Sequence, residues 1–150
     1  MPVAAMRAGG VFPASRFDHV GIVAVAGAAA PVVYGPADTR PALHAMAEQA
    51  GGSGALDAGH LAALLGPRAS RVLGPAWYGY ATRDSLLAPR GTTVRRGLAH
   101  AVVAAAAREG LNGRPVVQYR ARRANTASLA VAARTGFTHY ADGLVIHLSA

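Results

Sequence analysis

The stretch Val116-Val-Gln-Tyr-Arg-Ala-Arg-Arg-Ala-Asn-Thr-Ala-Ser-Leu-Ala-Val-Ala-Ala-Arg-Thr-Gly-Phe137 decides the fold class. Val116 to Arg120 reads as a strand. Asn125 is a good N-cap for a helix running through Arg134, and Gly136 stops that helix. Upstream, Ala and Leu dominate Gly97 to Arg108, which predicts a second helix. Gly110 to Pro115 then makes a turn. Downstream, Leu144 to Leu148 reads as a final strand with apolar residues on both faces. This order predicts an α/β layer with a partly parallel sheet, because a helix from Asn125 to Arg134 can serve as a crossover.

Toward the N-terminus the signals are shorter. Met1 to Arg16 reads as a loose arm. His19 to Gly27 is short, β-branched and bounded by Gly, so it predicts a strand. Arg7 and Arg16 ahead of the apolar run Val20 to Ala30 imitate a signal peptide, but Asp18 and His19 interrupt its edge. Pro31 to Pro36 adds a short strand and turn. Asp38 or Thr39 can cap a helix with Leu43, Met46, Ala47 and Ala50 on one face, stopped by Gly51-Gly52. Ser53-Gly54 is a joint. Asp57 can cap a shorter helix carrying Leu61, Leu64 and Leu65, ended by Gly66-Pro67. Ser70 to Leu73 and Ala76 to Ala81 read as strands around a Gly74-Pro75 turn. Alternation puts Tyr78 and Tyr80 on one face and Trp77 on the other. Thr82 to Thr93 is loop, with a short strand at Ser85 to Ala88 inside it.

The 150 residues suit one domain, and an apolar fraction of 52% is enough for a core. The chain has no Cys, which removes disulfides and thiolate metal sites and fits a reducing, cytoplasmic setting. No apolar run reaches the ~18 residues of a membrane span. All 15 basic residues are Arg, and the net charge is +8. From Arg90 to Arg134 nine Arg face one acid, Glu109, so that stretch carries the whole excess. It points to an anionic partner.

Two constellations carry chemistry. In Val94-Arg-Arg-Gly-Leu-Ala99 a helix opens, and its free first-turn N–H groups attract anions. Gly97 lets a phosphate approach the backbone, and Arg95 and Arg96 add charge-assisted bonds. In the second, a strand ends at Gln118 to Arg120, Asn125 starts a helix with Ser128 in its first turn, and Gly136-Phe137 closes it.

Together these residues resemble the GNAT superfamily of N-acetyltransferases. That family's cofactor loop reads Arg/Gln-x-x-Gly-x-Gly/Ala and opens a helix. Gly97 and Ala99 fit it, and Val94 departs from its first place. Val116 to Arg120, Asn125 and Gly136-Phe137 match the family in order and spacing, over about residues 94–148. The resemblance implies a single GNAT-like domain with a mixed, partly parallel sheet flanked by helices and a shortened central strand. It implies an acetyl-CoA-dependent transfer of an acetyl group to an amine. The amides around Arg95, Arg96, Gly97, Leu98 and Ala99 would hold the CoA pyrophosphate. Ser85 to Ala88 and Val116 to Gln118 would splay around the pantetheine arm, with Asn125 and Ser128 on the cofactor. Family members commonly dimerise, which implies a homodimer.

The catalytic groups are not readable. Many family members place a thiolate-protonating Tyr four residues before the Gly of Gly-Phe, where this chain has Ala132. His100 and His139 are the candidate bases, each with a structural alternative. The missing Tyr motivates a rival reading, a catalytically silent CoA-binding or protein-interaction module. The six His show no metal-ligand spacing. Ser85 and Ser128 lack a nucleophile-elbow context, and no P-loop occurs. Nucleic acid is not the expected partner, because aromatics are sparse among the Arg. The expected partner is a small-molecule or peptide amine, and no membrane.

Overall fold

The computed structural model describes residues 18–50, 56–87 and 94–149, with backbone alone at 94–97. The arm Met1 to Arg16, the Gly51-Gly52 stop, the Ser53-Gly54 joint and the end of the loop at 88–93 lie outside the described residues. The elements are β1 (His19–Val25), β2 (Val32–Tyr34), α1 (Arg40–Ala50), α2 (Ala58–Leu65), a 3-10 turn (Gly66–Arg68), β3 (Ala69–Ala81), α3 (Val94–Gly110), β4 (Val117–Arg122), α4 (Thr126–Thr135) and β5 (Thr138–Leu148).

The strands form one sheet in the order β2-β1-β5-β3-β4, and every neighbouring pair is antiparallel. This corrects the expected GNAT-like, partly parallel sheet. The crossover helix α4 exists, and β4 and β5 run the same way. They are not neighbours, because β3 lies between them and pairs antiparallel with both. β3 runs unbroken from Ala69 to Ala81. Gly74-Pro75 does not turn the chain. It sits in a register shift between Leu73 and Ala76, where Gly74 and Pro75 stand against the single residue Leu144 and bulge the strand.

Among the described residues, the four helices lie on one face of the sheet. Val20 and Ile22 lie opposite Ile146 and Leu144, and β5 continues this face to Asp142, which lies opposite Trp77. Over the first half of that face, α1 and α2 bring Leu43, Ala47, Leu61 and Leu65 onto Val20, Ile22, Leu144 and Ile146. Over the second half, Ala107 and Ala132 of α3 and α4 meet Ala81 and Phe137, with Trp77, Val103, Val117 and Tyr119 packed around them.

Local chemistry sets the helix ends. The Asp57 carboxylate accepts from the His60 N–H at 2.9 Å and caps α2. Asp38, expected as a cap, instead accepts from Arg68 at 2.8 Å. The Thr39 hydroxyl donates back to the Pro36 carbonyl at 2.8 Å. Of the three leucines that the sequence puts on α2, Leu61 and Leu65 are buried and Leu64 is 43% exposed. Gly136 ends α4 with φ +93°, and its N–H reaches the carbonyls of Ala132 and Ala133.

Candidate functional site

Helix α3 opens at Val94, so Arg95, Arg96 and Gly97 occupy its first turn. Leu98 is 67% exposed and Ala99 is exposed. The helix ends beside β4, where a Cβ on Gly110 would lie 2.8 Å from the Val117 side chain. Val103, two turns earlier, shares a cleft with Tyr119. Going back along α3 therefore follows β4 forward, toward Asn125. The first turns of α3 and α4 open at the same end of the layer.

Asn125 is the N-cap of α4, and its side-chain oxygen accepts from the Ser128 N–H at 3.0 Å. The Ser128 hydroxyl lies 3.4 Å from the Tyr119 hydroxyl, which donates to it. Both expected cofactor residues thus have a structural duty in starting this helix.

The splayed pair of strands is not formed. Residues 83–85 make a turn and 86–87 are coil, so the described part of Ser85 to Ala88 contains no strand. The Ser85 hydroxyl accepts from the Thr82 N–H at 2.9 Å and tightens that turn. The strand ahead of α3 is β3, and Gln118 lies directly opposite Tyr80 in a continuous ladder. No gap opens beside Gln118 on that side.

The opening lies on the other side of β4. A cleft of about 470 Å³ runs between α3 and this outermost strand, lined by Val103, Ala106, Ala107, Gly110, Arg114, Val116, Val117, Gln118, Tyr119 and Phe137. Apolar side chains from α3 and β4 line it beside about as much polar surface, to which Arg114 and the edge of β4 contribute. Val116 and Gln118, both expected at the cofactor, are brought together here.

His100 lies about one turn before Val103 on α3. His100, Val103, Ala107 and Gly110 follow the spacing of one helical stripe. The His100 Nε2 atom is shielded from solvent and meets no hydrogen-bond partner among the described residues. His139 is placed differently. Its ring stacks on Trp77 at 5.5 Å, and its Nε2 lies 3.2 Å from Asp142. Asp142 also accepts from Arg123 Nε at 2.8 Å, and this carboxylate holds the guanidinium pKa above its usual range. Arg123 and His139 are thus joined through Asp142.

Sequence reasoning missed a polar contact on the opposite sheet face, where the Gln118 amide donates to the Tyr140 hydroxyl. Burial raises the Tyr140 phenol above its ordinary pKa, so it stays protonated at neutral pH. Only the pairing of β3 with both β4 and β5 brings Gln118 and Tyr140 together.

A scan against protein-family models, a search of curated proteins and a search of solved structures each return no match for this chain. Among the described residues, no helix is long and apolar enough to cross a membrane.

Proposed function

We propose that the chain is an acetyl-CoA-dependent N-acyltransferase that acetylates a small-molecule or peptide amine. The observation that carries this reading is the cleft between α3 and β4, which joins Val116 and Gln118 to a helix whose first turn holds Arg95-Arg96-Gly97. The amides of Arg95 to Ala99 hold the diphosphate, helped by both guanidinium groups. The outer edge of β4 offers its unpaired backbone groups to the amides of the pantetheine arm. Asn125 and Ser128 border the same end.

Acetyl transfer needs a neutral amine at the thioester carbonyl. The new N–C bond forms as the C–S bond breaks, and the amine proton must leave. In this reading His100 Nε2 takes that proton, and the leaving thiolate is protonated from solvent. A cytoplasmic setting and a homodimer accompany the proposal.

Isothermal titration with acetyl-CoA should saturate below millimolar cofactor. Thiol release with a panel of amines should then detect turnover. His100→Gln should lower kcat by ~10²-fold or more while leaving the acetyl-CoA Kd within about two-fold. No saturation at millimolar acetyl-CoA refutes the proposal.

Ala132 supports a second reading, binding without turnover. It is fully buried where the resembled family often carries its acid. Saturable binding with no thiol release from any amine would select it.

A further inference from the structure

The sheet face opposite the helices carries a second surface, which shares Gln118 with the cleft. Register assigns His19, Gly21, Val23, Val25, Tyr34, Val145, Gly143, Ala141, Ala76, Tyr78, Tyr80, Gln118, Arg120 and Arg122 to it. Tyr140 joins them at a bulge between Tyr78 and Gly79. Among the described residues, no helix packs here.

Its centre is a row of tyrosines lying along the sheet. A Cβ on Gly21 would sit 2.1 Å from Tyr34 Cζ, and one on Gly143 would sit 2.7 Å from Tyr78 Cε2. These two glycines let the rings lie over the strands instead of standing off them. Tyr140 contacts both Tyr78 and Tyr80, at 6.3 and 5.9 Å between ring centroids. Arg120 stands over Tyr78 with its guanidinium carbon 5.2 Å from the ring centroid. Arg120, Arg122 and Gln118 are exposed, and Tyr34, Tyr80 and Tyr140 are half-buried.

Charge selects the occupant. Asp142 is the only carboxylate within the five strands, and it lies on the helical face. The tyrosine face therefore presents guanidinium groups with no strand carboxylate among them. Two copies placed face to face would oppose Arg to Arg, which disfavours self-association. A polyanion with flat, stackable groups fits both features.

We propose that this face binds single-stranded nucleic acid. The bases stack on Tyr80 and Tyr140, and Arg120 and Arg122 meet phosphates. The chain order separates these residues, which is why the sequence alone argued against such a partner. Antiparallel pairing of β3 with β4 and β5 assembles them.

The test is fluorescence anisotropy with the full chain at about 50 mM salt. The probes are oligouridylate and oligothymidylate of about 12 nucleotides and a duplex of equal length. Saturable binding to either single strand, tighter than to duplex, is expected, and the two strands distinguish RNA from DNA. The double variant Tyr80→Ala/Tyr140→Ala should weaken binding about 30-fold or more. Arg120→Gln/Arg122→Gln should weaken it and lower the salt slope by about 1.4. Arg108→Gln/Arg134→Gln removes equal charge from α3 and α4 and should change affinity less than about two-fold. If the tyrosine variant fails to fold by circular dichroism, the two exposed arginine pairs decide the question alone. No saturation with either strand overturns the proposal. So does an equal loss from both arginine pairs, which would mean non-specific attraction to the whole chain.

Discussion

The two helix pairs cover the same sheet face with different materials. α1 and α2 press Leu43, Leu61 and Leu65 onto Ile22, Leu144 and Ile146. α3 and α4 meet their half of the sheet through Ala107 and Ala132, with Ala104 also buried on α3 and Leu111 buried just after it. Large aliphatic side chains from both layers fill the first interface. Alanine lets the second pair of backbones approach closely but fills little volume. A cleft remains along β4 on that side. The aliphatic half is the more fully packed, and the alanine half leaves a cleft.

Truncation tests the contrast most severely. Leu43→Ala or Leu144→Ala, both fully buried, should each cost about 2–5 kcal/mol in urea denaturation. A loss below about 1 kcal/mol would show that the aliphatic half is not the anchor. On the alanine side, enlargement is the informative change. Ala132 is fully buried, and Ala132→Leu should destabilise by about 1–3 kcal/mol through overpacking. A stabilised variant would mean that this interface is under-filled, and the comparison would fail.

Capping gives a smaller and sharper effect. Asn125→Ala should cost about 1 kcal/mol, measured by thermal melting. Asn125→Asp keeps the cap acceptor, so its stability should stay near that of the parent. If Asn125 also borders a diphosphate, the added negative charge should weaken acetyl-CoA binding while the melting temperature holds. That split separates the capping role from the cofactor role.

The smallest effect is acid sensitivity. The Arg68 guanidinium lowers the Asp38 pKa, and the His60 N–H lowers that of Asp57. A carboxylate with a depressed folded-state pKa contributes stability above its unfolded value. That stability is lost as pH falls through the folded value, here below about pH 4. Both groups are exposed, so the loss should be slight and shrink further in salt. Asp57→Asn retains an acceptor for the His60 N–H and should flatten this part of the melting profile. An unchanged profile would show that the cap is not sensitive to pH.

Much of the element map was legible in the sequence. β1, α2 and α4 fall where β-branched residues, Asp57, Asn125 and Gly136 place them, and α1 begins directly after Thr39. Sheet direction was not legible. A strand–helix–strand order gives the relative direction of β4 and β5, but not that β3 separates them. The Gly74-Pro75 pair signals a turn locally, and only pairing with β5 on both sides of it makes it a bulge. β5 was also read too short, because His139, Tyr140 and Asp142 look like loop residues until their partners Trp77, Gln118 and Arg123 are in place. At the site, the start of α4 at Asn125 was readable, and α3 was read from Gly97, three residues after it begins. The cleft and the stripe through His100 were not, since both depend on how α3 docks against β4.

The most direct measurement is hydrogen exchange with and without acetyl-CoA. Binding in the cleft predicts added protection concentrated at 94–107 and 116–128, with α1 and α2 unchanged. Uniform protection, none at all, or protection confined to β1 and β2 would contradict the assignment of the ligand to the alanine half.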